Sequence, residues 1–142
     1  MADRKANATW NGGVVDGKGK VALGSGLFEG AYSFATRMGE EPGTNPEELL
    51  GSALAGCYAM ALNATLERGG TKPNEVTAEA VVHLGKDDSG FVIKGIDLTA
   101  TADVENVTDA DFQRIAEEVK SSCPISKALG RTPIKLAASL KQ

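Results

Sequence analysis

An α+β fold is what the order of patterns in this 142-residue chain predicts. Short strands separated by glycine-rich turns come first, a long alanine-rich helix follows, and two long strands, an amphipathic helix and a last strand close the chain. Lys5–Trp10, Lys18–Gly24 and Gly30–Thr36 carry the strand pattern, punctuated by Asn11-Gly12-Gly13 and Gly17-Lys18-Gly19, and read as a β-meander. Gly43-Thr44-Asn45-Pro46-Glu47-Glu48 is a helix start: Asn45 is a candidate N-cap, Pro46 suits the first helical position, and two carboxylates meet the positive end of the helix dipole. The helix runs from Leu49 to about Glu67 and is small and apolar on most sides, the mark of a buried helix; Gly69-Gly70 ends it.

Val76–Gly85 and Phe91–Val104 read as long strands joined by a polar loop ending in Gly90. Thr108-Asp109-Ala110-Asp111 starts a helix that places Phe112, Ile115, Ala116 and Val119 on one face. A turn of helix, Ile125–Leu129, then leads to a final strand, Ile134–Leu140. Neither repeat nor linker interrupts the pattern, so residues 1–142 are expected to form a single domain.

Composition narrows the function. A chain that is 42% hydrophobic and 24% charged can bury a real core. Its net charge of −4, without a long basic cluster, lacks the electrostatic footprint of a nucleic-acid binder. No stretch reads as the roughly 20 apolar residues that span a bilayer, and the first residues do not resemble a secretory signal. The expectation is a cytoplasmic protein without a membrane. A permanent disulfide is rare in that reducing setting, so Cys57 and Cys123 are either inert core residues or a pair that forms and breaks a bond in use.

Cys57 falls in the middle of the apolar helix, where burial raises a thiol pKa unless a cation steadies the thiolate. Arg37 is the candidate cation; its plainer reading is a surface arginine at a strand end. Glu47 either complements the helix dipole or orients a buried arginine. Ten residues of helix separate Glu47 from Cys57 by about 15 Å, so the two share a site only if the helix breaks or Glu47 comes from another subunit. Cys123 precedes Pro124 and lies near a helix N-terminus, where the dipole lowers a thiol pKa; it suits a resolving thiol. A thiolate that attacks a peroxide becomes a sulfenic acid, which a second cysteine can convert to a disulfide.

The run Gly43-Thr44-Asn45-Pro46-Glu47-Glu48-Leu49-Leu50-Gly51-Ser52-Ala53-Leu54-Ala55-Gly56-Cys57-Tyr58-Ala59-Met60-Ala61-Leu62, together with Ser122-Cys123-Pro124-Ile125-Ser126, resembles the OsmC/Ohr family of thiol-dependent hydroperoxide peroxidases. Lys18-Gly19-Lys20 and Phe34-Ala35-Thr36-Arg37 make the chain more similar to the osmotically inducible branch than to the organic hydroperoxide resistance branch. The resemblance implies that Cys57 is the peroxidatic cysteine, Cys123 the resolving cysteine, Arg37 the cation beside the thiolate and Glu47 the carboxylate that holds Arg37. It also implies an intertwined homodimer with antiparallel sheets packed around long central helices, in which Glu47 acts across the dimer. Organic hydroperoxides would be the substrates, hydrogen peroxide a poorer one, and a dithiol on a lipoylated protein the reductant. No metal or bound cofactor is implied.

Other chemistry has little to build on. His83 is the only histidine and sits on a strand, as a solvent-facing or sheet-packing residue. Asp87-Asp88 and Glu117-Glu118 lack the spacing of a calcium loop. Phe28 and Tyr58 are candidates to line an apolar peroxide pocket. Two alternatives use the same fold: a carrier of a small apolar ligand with incidental cysteines, and a redox sensor that is oxidised once without turning over peroxide.

Overall fold

The computed structural model describes residues 1–141 and divides the chain into two compact units, Met1–Leu49 and Leu50–Gln142. The boundary falls inside the longest helix.

The first unit opens with an antiparallel meander of β1 (Ala6–Asn11), β2 (Lys18–Leu23) and β3 (Glu29–Tyr32). Gly19 lies in register between Trp10 and Tyr32, whose ring centroids are 5.3 Å apart. A Cβ on Gly19 would run into both rings, so glycine is what lets the aromatics meet across the middle strand. The expected strand through Thr36 ends at Tyr32 instead, and a short helix, α1 (Phe34–Met38), follows. The Ser33 hydroxyl accepts from the Thr36 amide at 3.1 Å while Thr36 Oγ1 accepts from the Ser33 amide at 2.8 Å. These reciprocal bonds supply the helix start locally, where a strand would need a further partner.

Helix α2 (Pro46–Arg68) begins as its sequence dictates, with Asn45 Oδ1 accepting from the Glu48 amide at 2.8 Å. It is the one helix among the described residues long and apolar enough to cross a membrane by length and composition, which corrects the expectation that no stretch approaches that length. Four of its residues instead build a protein core: Leu54, Tyr58, Leu62 and Leu66 recur every fourth position and are fully buried.

In the second unit β4 (Glu75–Asp87) and β5 (Gly90–Asp103) form a long antiparallel hairpin that turns through Asp88 and Ser89. Helix α3 (Asp109–Ser122) starts at Thr108, whose hydroxyl accepts from the Asp111 amide at 3.2 Å. Helix α4 (Pro124–Leu129) and β6 (Ile134–Leu140) complete the chain. β6 runs parallel to β5, so the expectation of antiparallel sheets holds only for the first sheet and the β4–β5 pair. The two intervening helices carry the chain back to the starting end of β5, and a strand reached through such a crossover is parallel to the one it left.

Alternation on β5 turns Ile96, Leu98, Ala100 and Ala102 to one face, where they meet the buried side chains of α2 and Phe112, Ala116 and Val119 of α3. Cys123 belongs to the same cluster. Truncating Phe112 to Ala removes a ring that is fully buried and should destabilise the protein by about 3–5 kcal/mol. Urea unfolding followed by circular dichroism measures this; a loss below about 1 kcal/mol would mean that α3 is not part of the cooperative core.

Candidate functional site

Arg37 and Glu47 form a fork. Arg37 Nε donates to Oε1 and Oε2 of Glu47 at 3.0 and 3.1 Å, and Nη2 reaches Oε1 at 2.6 Å. Both residues belong to one chain and to the first unit. Their meeting is built locally. Thr36 Oγ1 donates to the Thr44 carbonyl at 2.8 Å, and the Thr44 amide donates to the Ala31 carbonyl at 2.9 Å, tying α1 and β3 to the start of α2. Gly43 makes the turn between them at φ +150°, where a Cβ would press on Thr36 and the Ala31 carbonyl. Glu47 is nearly buried, while the guanidinium keeps an exposed side. A bidentate pair of this kind fixes the plane of the guanidinium as well as its charge.

Cys57 and Cys123 are 66 residues apart in sequence, and their sulfurs are 2.8 Å apart. Both are free thiols. Cys57 projects from the middle of α2 and is half-buried; Cys123 joins α3 to α4 and is 1% exposed. The Leu54–Tyr58–Leu62 stripe of α2 and Phe112 and Val119 of α3 pack into one cluster and bring the cysteines together. The Tyr58 hydroxyl donates to the Ala116 carbonyl at 2.9 Å, pinning one helix to the other a single residue beyond Cys57.

The two sulfurs differ in how they hold a proton. Burial raises the Cys57 pKa, and the Cys123 sulfur raises it further through its hydrogen bond and its charge; only the Ile125 amide opposes this. Burial also pushes Cys123 upward, but it is outweighed by the hydrogen bond from Cys57, the amides of Ser126 and Ile125 and the Ser126 hydroxyl, and Cys123 ends below the usual thiol value. With both sulfurs protonated Cys123 donates to Cys57. These opposed shifts make Cys123 the more readily ionised of the two, favoured by the first-turn amides of α4.

All four residues singled out from the sequence therefore have a defined place, in two pairs: Arg37 with Glu47, and Cys57 with Cys123. Tyr58 does not line an open pocket; it is fully buried, hydrogen-bonded, and its pKa lies well above the ordinary phenol value, chiefly through burial. His83 faces solvent on β4 and contacts Asp97 at 2.8 Å. Ser126 closes the Ser122–Ser126 run that carries the resemblance, but the sequence gives it no role of its own. The signal for a role is its position three residues beyond Cys123, in the first turn of α4.

Residues 39–139 match the family described as OsmC-like protein. The chain is 39% identical over 139 residues to Peroxiredoxin OsmC of Escherichia coli (strain K12), covering 97% of this chain and 96% of that protein. It is 28% identical over 126 residues to the Organic hydroperoxide resistance protein of Xanthomonas axonopodis pv. citri, covering 87% of this chain and 84% of that one. Among solved structures, an organic hydroperoxide resistance protein from Elizabethkingia anophelis superposes with a TM-score of 0.78 at 28% identity, over 96% of each chain.

The shared proton has a measurable consequence. Thiolate absorbance near 240 nm should rise in two steps in the parent protein, one below and one above the ordinary thiol pKa. Cys57→Ala removes the donor to Cys123 and should move the remaining step upward, whereas Cys123→Ala should move the Cys57 step downward. Two variants titrating at unchanged positions would mean that the sulfurs do not interact.

Proposed function

The chain belongs to the OsmC family, and from that premise we propose that it is a peroxidase-type oxidoreductase that reduces organic hydroperoxides through a Cys57–Cys123 disulfide. The observation that carries this reading is the 2.8 Å separation of two free sulfurs that the fold gathers from distant positions. Thiols this close need only a small movement to reach the roughly 2.0 Å of a covalent bond.

Exposure supports a division of roles. Cys57 is half-buried while Cys123 is 1% exposed, which favours Cys57 as the sulfur that takes the peroxide. The Cys57 thiolate attacks one peroxide oxygen, the O–O bond breaks, and the leaving alkoxide takes a proton to become an alcohol. Cys57 is now a sulfenic acid. The Cys123 thiolate attacks its sulfur, the S–O bond breaks, and hydroxide leaves as water after taking a proton. A dithiol restores both thiols by two exchanges and departs as its own disulfide; lipoylated proteins carry such a group. Hydrogen peroxide fits the same steps, with less apolar contact.

Arg37 supplies what Cys57 lacks. Its own surroundings raise the Cys57 pKa, so a cation is needed to draw the charge onto it, and Cys123 can receive the proton that lies between them. Glu47 holds the guanidinium in plane for that task. The axial distance of about 15 Å between positions ten residues apart on one helix supports action across a homodimer, with the Arg37–Glu47 fork serving Cys57 of the partner subunit. The exposed apolar face of α2 supports such a dimer: Ala53 and Gly56 are exposed, and Met60 is 73% exposed. A cycle that consumes a dithiol suits a reducing, cytoplasmic setting.

Steady-state consumption of cumene hydroperoxide with dihydrolipoamide tests the proposal. The parent should turn over, Cys57→Ser should abolish consumption, and Cys123→Ser should impair it. Arg37→Met should cost on the order of 100-fold in kcat/KM, as removal of a preorganised charge-stabilising donor does. One stoichiometric oxidation without turnover would favour a sensor, and no reaction in a folded parent would remove the peroxidase reading.

A further inference from the structure

Ser126 is buried, 8% exposed, and its hydroxyl oxygen is closed to solvent without an aligned hydrogen-bond partner. A buried hydroxyl in that state opposes folding, because it has given up water without gaining an aligned hydrogen bond. It stands three residues beyond Cys123, in the first turn of α4, where the Lys127 amide donates to the Cys123 carbonyl at 3.0 Å. Residues three apart on a helical turn share a side. The hydroxyl is also near enough to Cys123 for its dipole to favour a negative sulfur. Among the described residues it is the buried side-chain oxygen or nitrogen without a partner, and it lies beside the sulfur that must become an anion twice in each cycle.

We propose that Ser126 is a positioning residue whose hydroxyl turns to donate to the Cys123 sulfur when that sulfur is an anion, holding it for attack on oxidised Cys57 and stabilising it as the leaving group when the disulfide is reduced. This rests on the reading of Cys123 as the resolving cysteine. In the forward step the Cys123 thiolate forms the S–S bond and the S–O bond of the Cys57 sulfenic acid breaks, releasing water. In the reductive step a dithiol attacks the more accessible Cys57 sulfur, and Cys123 departs with the bonding pair. The Ser126 hydroxyl keeps its proton in both. The titratable groups that act on Cys123 or border Ser126 are the Cys57 thiol and the Tyr58 phenol of α2, with Lys120 of α3 and Lys127 of α4 lining the cleft beside Ser126; Glu117 of α3 acts on Tyr58, whose pKa lies well above the ordinary phenol value.

A hydrogen bond to a thiolate has opposed effects on rate. Lowering a thiol pKa by one unit gives about tenfold more thiolate at neutral pH and loses roughly threefold in intrinsic nucleophilicity, for a net gain of about threefold. Above the thiol pKa only the loss remains. Ser126→Ala should therefore slow disulfide formation about threefold or more at pH 7, shift the midpoint of its pH profile upward, and match or exceed the parent at high pH. A purely structural role would lower the rate at every pH.

The experiment is a single turnover with one equivalent of cumene hydroperoxide, quenched with dimedone and read by mass, from pH 6 to 10, on the parent, S126A and S126T. Measured against Cys57 sulfenic acid formation in the same protein, disulfide formation in S126A should show the crossing profiles, and S126T, which keeps the hydroxyl, should follow the parent. S126A should also melt no lower than the parent, since it loses an unpartnered group. Superimposable S126A and parent profiles, or uniform slowing, would overturn the proposal while the peroxidase reading stands. A parent that forms no Cys57–Cys123 disulfide would overturn both.

Discussion

The close approach of two sulfurs inside a packed core governs the second unit. Cys123 is among its most buried side chains, and a thiol there is expected to be inert. Two features alter that. Cys57 stands 2.8 Å away as a hydrogen-bond partner, and the first turn of α4 offers amides that no carbonyl satisfies. The apolar surroundings exclude competing water, which strengthens both effects. Two unequal sulfurs are the result, with the lowered pKa at the more deeply buried one.

The first unit solves a different problem, how to hold a charged guanidinium at a fixed angle. Its means are small and local: the Ser33–Thr36 capping box, the Thr36–Thr44 hydrogen bond and the turn at Gly43. Each removes a freedom from the short path between Arg37 and Glu47. The carboxylate is nearly buried and the guanidinium is not, so the charge is anchored on one side and presented on the other. Helix α2 begins in the first unit with Glu47 and carries Cys57 in the second.

Much of this was legible in the residues. Asn45, Pro46 and Thr108 announce helix starts that the hydrogen bonds bear out, and the alternation along Ile96-Asp97-Leu98-Thr99-Ala100 identifies the core face of β5. The α1 helix was masked because Ala31-Tyr32-Ser33-Phe34-Ala35 alternates like a strand; the competing signal was the Ser33–Thr36 spacing, a pair of hydroxyls that can close on each other's amides. The direction of β6 does not reside in its own sequence, since parallel and antiparallel strands share the same alternation, and it follows from the route of the preceding helices. Neither periodicity nor spacing brings Cys57 to Cys123. That juxtaposition depends on how α2 and α3 cross, and only family resemblance anticipated it. The span-length apolar character of α2 was missed because its many small residues read as a core helix, which is the role of its Leu54–Leu66 stripe.

The central claim is that the two sulfurs act on each other within one chain. Peptide mapping after a single equivalent of organic hydroperoxide, carried out without reduction on a mixture of isotopically light and heavy protein, tests it most directly. The account predicts one new cross-link, Cys57 to Cys123, in peptides that are wholly light or wholly heavy. Mixed light–heavy pairs, or Cys57 oxidised to a sulfinic acid with Cys123 still free, would contradict it.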